Sequence, residues 1–230
     1  MVKPLGVAFD LDDTLYLERD YVRSGFRAVA EDAAGETSVS ADEAFRFLWN
    51  GFLAGVRGSS FNDLLTEYPD IAARRGVPDL VRVYREHRPT ISYLPGAEAL
   101  LRELQRLGVP MAVITDGPLA SQAAKAEALG VARYADPVVL TDAWGQSFWK
   151  PHVRAFEHVS ERFALPHDRL VYVGDNPLKD FHAPTALGWR SVRLRMAGQV
   201  REKLGHDAVP PTWEVGSVAA LREALLGLLE

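Results

Sequence analysis

The chain has 230 residues, of which 47% are hydrophobic, 25% charged and 10% aromatic, a composition that supports a buried core and excludes wholesale disorder. At about 150 residues per domain, this length fits one large domain or a domain with a substantial insert, not a long repeat array. Twenty-six basic residues against 31 acidic ones leave a formal charge of −5, and there is no cysteine; the first predicts no nucleic-acid partner, and the second removes disulfides, zinc–thiolate and iron–sulfur centres and cysteine nucleophiles.

In chain order, short apolar runs at Leu5 to Phe9, Pro110 to Ile114, Pro137 to Leu140, Leu170 to Val173 and Ser191 to Leu194 read as buried parallel strands. Between most of them lie helical patterns. Ala97 to Leu107 puts Leu100, Leu101, Leu104 and Leu107 on one face and pairs Glu98 with Arg102. Leu119 to Leu129, Val153 to Phe163, Phe181 to Leu187 and Val218 to Leu229 follow, with Ser217 placed to cap the last. Strands alternating with helices predict an α/β fold, a Rossmann-like parallel sheet core with helices on both faces.

One stretch breaks the alternation. Residues 16–94 contain no convincing strand and four helical patterns, Asp20 to Ala34, the helix after the capping box Ser40-Ala-Asp-Glu43, Ser60 to Tyr68 and Pro78 to His87, with Pro69, Gly76 to Pro78 and Pro95-Gly96 as punctuation. Phe45, Leu48, Trp49, Phe52 and Val56 at helical spacing are expected to form its core. The reading is therefore an α/β core made of 1–15 and 95–230, and a small all-helical domain of 16–94. No run of about 18 apolar residues is present and acids follow the N-terminus closely, so no membrane contact is expected and a cytoplasmic location is.

Ligands of an open parallel sheet bind beyond the carboxyl ends of its strands. Asp10, Asp12, Asp13 and Thr14 follow the first strand, Thr115, Asp116 and Gly117 the second, and Gly174, Asp175 and Asn176 the fourth, with Asp180 further on. Lys150, one of five lysines, precedes Pro151 at the helix leading to the fourth strand. Crowded carboxylates repel one another unless a hard cation intervenes, and an all-oxygen set without cysteine suits Mg²⁺. Lys150 and Thr115 then suit an anion, and the assembly suits phosphoryl transfer through attack by an aspartate on phosphorus.

Phe9-Asp10-Leu11-Asp12-Asp13-Thr14-Leu15 resembles the first motif of the haloacid dehalogenase superfamily, and Thr115, Lys150 and Gly174-Asp175 through Asp180 resemble its second, third and fourth motifs in order. The resemblance covers the whole chain, because the superfamily's helical caps are inserted after the first motif. It implies a phosphatase-type hydrolase with Asp10 as nucleophile and Asp12 as general acid and then base. Mg²⁺ would be held by the Asp10 carboxylate, the Asp12 carbonyl and the Asp175 carboxylate. Asp180 would orient Lys150 or a metal-bound water, and Asn176 would serve its own turn beside the metal shell. Thr115 with the N–H groups of Asp116 and Gly117 would hold the phosphoryl oxygens, and Lys150 would offset their charge. Asp13, where many relatives carry glycine, and Asp116 are both expected to point outward, Asp116 capping the helix that begins near Pro118.

The expected function is hydrolysis of a small phosphorylated metabolite through an aspartyl-phosphate. Asp12 argues against dehalogenation, and the lack of lysine between Tyr16 and Ala124 argues against phosphonate cleavage through a Schiff base. A phosphomutase, or a phospho-acceptor signalling or binding protein with the same core, stands as the alternative. The six histidines, His87, His152, His158, His167, His182 and His206, have no ligand spacing and are expected at the surface or helix ends. Trp213 beside Pro210-Pro211 reads as packing a loop onto the core. The substrate, the residues that select it and the oligomeric state are not encoded in these patterns.

Overall fold

A computed structural model describes residues 5–35, 37–203, 205 and 209–229. The chain divides into two compact units, Met1–Arg19 with Ile91–Glu230, and Asp20–Thr90.

The larger unit is a six-stranded, all-parallel sheet in the order β3-β2-β1-β4-β5-β6, with helices on both faces. Its strands are β1 (Gly6–Phe9), β2 (Met111–Thr115), β3 (Val138–Leu140), β4 (Leu170–Gly174), β5 (Arg190–Leu194) and β6 (Trp213–Val215). β1, β2 and β4 are buried throughout, as continuous apolar runs require when both faces are covered. Register places Ala8 opposite Ala112 on one side and Tyr172 on the other. On that face Ala8, Ala112, Ile114 and Tyr172 pack against Ala155, Phe156 and Val159. Phe156 is fully buried, its ring edge-on to Tyr172 at 5.0 Å and to Trp189 at 5.5 Å. The crossover helices are α6 (Ala97–Arg106), α7 (Leu119–Leu129), α8 (Arg154–Phe163), α9 (His182–Leu187) and α10 (Val218–Gly227), the last capped by Ser217 Oγ, which accepts from Ala220 N at 3.1 Å.

β6 corrects the reading of Trp213. Ser191 and Thr212 exchange backbone-to-hydroxyl bonds at 3.0 and 3.1 Å, and the chain then pairs along β5, leaving Trp213 40% exposed on an edge strand. Trp-Glu-Val alternates, but three residues are too few to carry a readable strand period, so pairing with β5 is what brings this element into being.

The smaller unit is helical. Ser40 Oγ accepts from Glu43 N at 3.2 Å and starts α2 (Ala41–Leu53). Around it lie α1 (Glu18–Ala34), which begins in the sheet unit, α3 (Ser60–Glu67), α4 (Pro69–Ala72) and α5 (Val77–Glu86). α4 was not expected: Pro69, read as punctuation, opens a helical turn at its first position, where its missing N–H costs nothing. Phe26 sits edge-on to Phe61 at 6.0 Å and to Phe52 at 6.5 Å, while Phe45, Leu48 and Phe52 are buried and Trp49 and Val56 only partly so. His87 stands at the C-terminal end of the helix Val77–Glu86, one of the positions expected, and is buried there, its Nδ1 2.7 Å from the Tyr84 carbonyl; His206 lies outside the described residues. No described helix is long and apolar enough to cross a membrane.

Removal of the Phe156 ring leaves a cavity at the centre of one face of the sheet. Phe156→Ala is expected to lower unfolding stability by about 3–5 kcal/mol, measured as a shifted urea midpoint at unchanged slope.

Candidate active site

The sheet ladder runs one residue past β1: Asp10 N donates to Val173 O at 2.8 Å, so the backbone of Asp10 is fixed by β4. Its carboxylate, 3% exposed, accepts from Lys150 Nζ at 2.6 Å. The same ammonium donates to the Tyr172 hydroxyl at 2.7 Å and lies 2.9 Å from Asp180 Oδ1. Asp180 is placed by the turn after β4, its Oδ2 accepting from Asn176 N at 2.9 Å, while Asn176 Oδ1 accepts from Leu178 N at 3.1 Å. That turn needs Gly174, because a Cβ there would stand 2.5 Å from Asp180 Oδ2. Arg193 on β5, fully buried, donates through Nε to the Asp175 carbonyl at 3.0 Å.

Asp10, Asp175 and Asp180 are all buried and each offers a carboxylate oxygen within 4.8 Å of the others. Oδ2 of Asp175 has no hydrogen-bond partner. Burial, opposed by the charge of Lys150 and reinforced by that of Asp180, brings the Asp10 carboxyl up to about 6. Burial, Asp180 and Asp10 together push Asp175 well above the carboxylate range. Burial alone would discharge Lys150, but Asp10 and Asp180 outweigh it and hold the ammonium charged. Three carboxylates meet one ammonium, so the cluster carries an excess of negative charge in a medium that solvates it poorly. An all-oxygen set with an unpartnered oxygen fits a hard divalent cation. Asp180 therefore sits within the carboxylate group itself as well as against Lys150.

Asp12 belongs to a second cluster. Its carboxylate accepts from Lys125 Nζ at 2.8 and 3.0 Å, from Gln122 Nε2 at 3.0 Å and from the Tyr16 hydroxyl. Burial works against ionisation here, but the charge and hydrogen bonds of Lys125, with those of Tyr16 and Gln122, hold the Asp12 carboxyl below its ordinary value. Thr115, at the end of β2, donates from Oγ1 to Gln122 Oε1 at 2.9 Å, and Gly117 adopts a φ of +132° two residues later. The sequence patterns had assigned no role to Gln122, Lys125, Tyr16 or Tyr172. A signal for two of them was present: Gln122 and Lys125 are three apart on a helix whose remaining residues are mostly alanine, with only Leu119 and Leu129 as large apolar residues to mark a buried face.

Two expectations are corrected. Asp116 does not cap the helix after Pro118; Asp142 does, its Oδ2 accepting from Leu119 N at 3.0 Å. Asp116 is instead buried as a tie between segments, its Oδ1 accepting from Thr141 Oγ1 at 2.8 Å and Lys150 N at 3.1 Å, its Oδ2 from Lys179 Nζ at 2.9 Å. Burial opposes its charge, but Lys150 and Lys179 keep its carboxyl below the usual range. Asp13 is fully buried rather than outward, at a φ of 55°, with Oδ1 accepting from Glu18 N at 2.8 Å and Oδ2 from Val200 N at 2.6 Å. Gln199 Nε2 donates to the Asp13 carbonyl at 2.6 Å from the same segment. Bonds from residues 186 or more positions away in sequence thus supply what glycine would otherwise provide, a left-handed residue at modest cost.

Against known proteins, a family model described as haloacid dehalogenase-like hydrolase matches residues 5–188. The chain is 29% identical over 195 residues to the glyceraldehyde 3-phosphate phosphatase of Methanocaldococcus jannaschii, covering 82% of this chain and 84% of that protein. It is 28% identical over 221 residues to the phosphoglycolate phosphatase of Neisseria meningitidis, covering 95% and 92%. A solved structure of a hydrolase from Bacillus subtilis bound to magnesium superposes with a TM-score of 0.68 at 20% identity, covering 97% of this chain and 99% of that one.

Two measurements follow from the buried carboxylates. Asp116→Ala strands the buried Lys150 amide and leaves the Thr141 hydroxyl only the Thr115 carbonyl as acceptor, and is expected to cost about 1–3 kcal/mol of stability by chemical denaturation. Burial, with Glu18 nearby, raises the Asp13 carboxyl to about 7. The folded chain therefore binds the Asp13 proton more tightly than the unfolded chain, so this stabilisation is complete below the ordinary carboxylate range and is lost as pH rises through about 7. Denaturation of the metal-free protein is expected to become easier from pH 5 to pH 8, with a shallower fall in Asp13→Asn.

Proposed function

The chain belongs to the haloacid dehalogenase-like hydrolase family and is a phosphoric monoester hydrolase, and we propose that it frees phosphate from a small phosphorylated metabolite through an aspartyl-phosphate at Asp10, with Mg²⁺ as cofactor. The observation that carries this reading is the buried group of Asp10, Asp175 and Asp180 closed on one side by Lys150.

Each role follows from what the side chains touch. Lys150 ties one oxygen of Asp10 and so fixes the carboxylate that attacks phosphorus. As the bond from Asp10 to phosphorus forms, the bond to the leaving oxygen breaks and Asp12, which enters this step in its protonated form, gives that oxygen its proton. In the second step Asp12 takes a proton from water, the water oxygen bonds to phosphorus, and the Asp10 carboxylate is released. Thr115 and the N–H groups of Asp116 and Gly117 hold the phosphoryl oxygens, with Lys150 offsetting their charge. Asp10 and Asp175 would hold Mg²⁺ with the Asp12 carbonyl, and Asp180 takes its place between that set and Lys150. When bound, the cation supplies positive charge to a phosphoryl group that would otherwise meet an anionic cluster. The Asp116 carboxylate, spent on Thr141, Lys150 and Lys179, adds little repulsion beside the phosphoryl group. The helical unit of residues 20–90 is read as the family's substrate-selecting cap, and the phosphatases of glyceraldehyde 3-phosphate and phosphoglycolate support a short-chain phosphate as substrate.

Phosphate release from p-nitrophenyl phosphate, glyceraldehyde 3-phosphate, 2-phosphoglycolate and other phosphorylated metabolites is expected with Mg²⁺ and not with EDTA. Asp10→Asn is expected to abolish release from every one of them while its circular dichroism stays unchanged. Full activity in Asp10→Asn, or release undiminished by EDTA, overturns the assignment.

A further inference from the structure

The buried face of α7 is polar where a crossover helix is ordinarily apolar: its buried residues are Ser121, Gln122, Lys125 and Leu129. Lys125 is 4% exposed and Gln122 3%. A buried ion pair contributes little net stability compared with apolar packing, because desolvation consumes most of the Coulomb gain. A helix that spends its inner face on an ammonium and an amide therefore calls for a reason other than stability.

Both groups converge on Asp12, whereas the ammonium that donates to Asp10 is Lys150. The two aspartates thus have separate lysines from separate segments. Lys125 Nζ bridges both oxygens of Asp12, which fixes the plane of the carboxylate, and Gln122 and Tyr16 donate to one oxygen each. The orientation of the Gln122 amide is determined by its neighbours. An ionised carboxylate only accepts, so the NH₂ faces Asp12 and the amide oxygen faces Thr115, whose hydroxyl donates to it. Room for this amide depends on Gly117, where a Cβ would lie 2.6 Å from Gln122 Nε2.

We propose that Gln122 and Lys125 are positioning residues for Asp12, holding its carboxylate at the place and in the plane from which it exchanges a proton with the leaving oxygen. The inference rests on the reading of Asp12 as general acid and base. α7 is the lever: it begins just after the loop of Thr115 and Gly117 and reaches Asp12 one turn later, so the loop assigned to the phosphoryl oxygens and the carboxylate assigned to the leaving oxygen are held by one rigid element.

The test separates proton donation from folding by the leaving group. p-Nitrophenolate departs without a proton, whereas an alkoxide requires one. kcat/KM is measured for p-nitrophenyl phosphate and for the fastest alkyl phosphate of the panel, in the wild type, Asp12→Asn, Gln122→Met and Lys125→Met. The ratio of the two values from one sample is independent of how much of it is folded. Asp12→Asn is expected to lose about 100-fold or more on the alkyl ester and far less on the aryl ester. Gln122→Met and Lys125→Met are expected to follow in the same direction, losing about tenfold on the alkyl ester with less than about a threefold change on the aryl ester. Equal losses on both esters in these two variants, beside a discriminating Asp12→Asn, assign them a packing role and overturn the inference. Equal losses in Asp12→Asn itself overturn the reading of Asp12 and the inference with it.

Discussion

Excess negative charge buried at the carboxyl edge of the sheet is the constraint around which the larger unit is organised. Asp10, Asp175 and Asp180 approach one another within 4.8 Å out of contact with bulk water, an arrangement that is costly for ionised carboxylates unless cations answer them. The chain has five lysines, and Lys125, Lys150 and Lys179 each meet an aspartate of this edge. Lys150 cannot occupy its place unless β1 and β4 deliver Asp10, Tyr172 and Asp180 to one point, which is what their shared register achieves.

The neutralising groups also tie the loops together. Asp116 joins the loop after β2 to Thr141 beyond β3, to the backbone of Lys150 and to Lys179 after β4. Asp13 performs the same service between the loop after β1 and residues 199 and 200. At both positions the carboxylate is saturated by donors from other segments. Loops built this way are rigid without large apolar contacts, which suits an edge that must remain open to a charged ligand.

A conflict between roles is resolved by separating partners. In the proposed mechanism Asp10 is the nucleophile, which requires a cation close enough to orient it, and Asp12, two residues away, is the acid and base, which requires a different environment. Parallel sheet geometry allows this because Asp10 continues the ladder while Asp12 lies in the turn beyond it, within reach of the helix that follows β2. The two carboxylates, though only two residues apart in sequence, consequently have different donors: Lys150 for Asp10, and Lys125, Gln122 and Tyr16 for Asp12.

What could be read directly from the sequence was whatever depends on local pattern. The runs around Val7, Val113 and Val171 are apolar on both faces and permit no state but a buried strand, and Ser40 and Ser217 are capping residues by their own chemistry. The clustering of Asp10, Thr115, Lys150 and Asp175 at one rim followed from strand order, because parallel strands put all their carboxyl ends on one side. Tertiary structure alone decided which donor each carboxylate receives. The pairing of Lys125 with Asp12 spans 113 positions, and the bond from Val200 to Asp13 spans 187. It also made Asp116 a tie and not a helix cap, with Asp142 from the segment after β3 accepting from the helix start, and it made a strand of Trp213–Val215 only beside β5. Local sequence specifies what a segment offers; the partner that accepts the offer is a matter of distance in the folded chain.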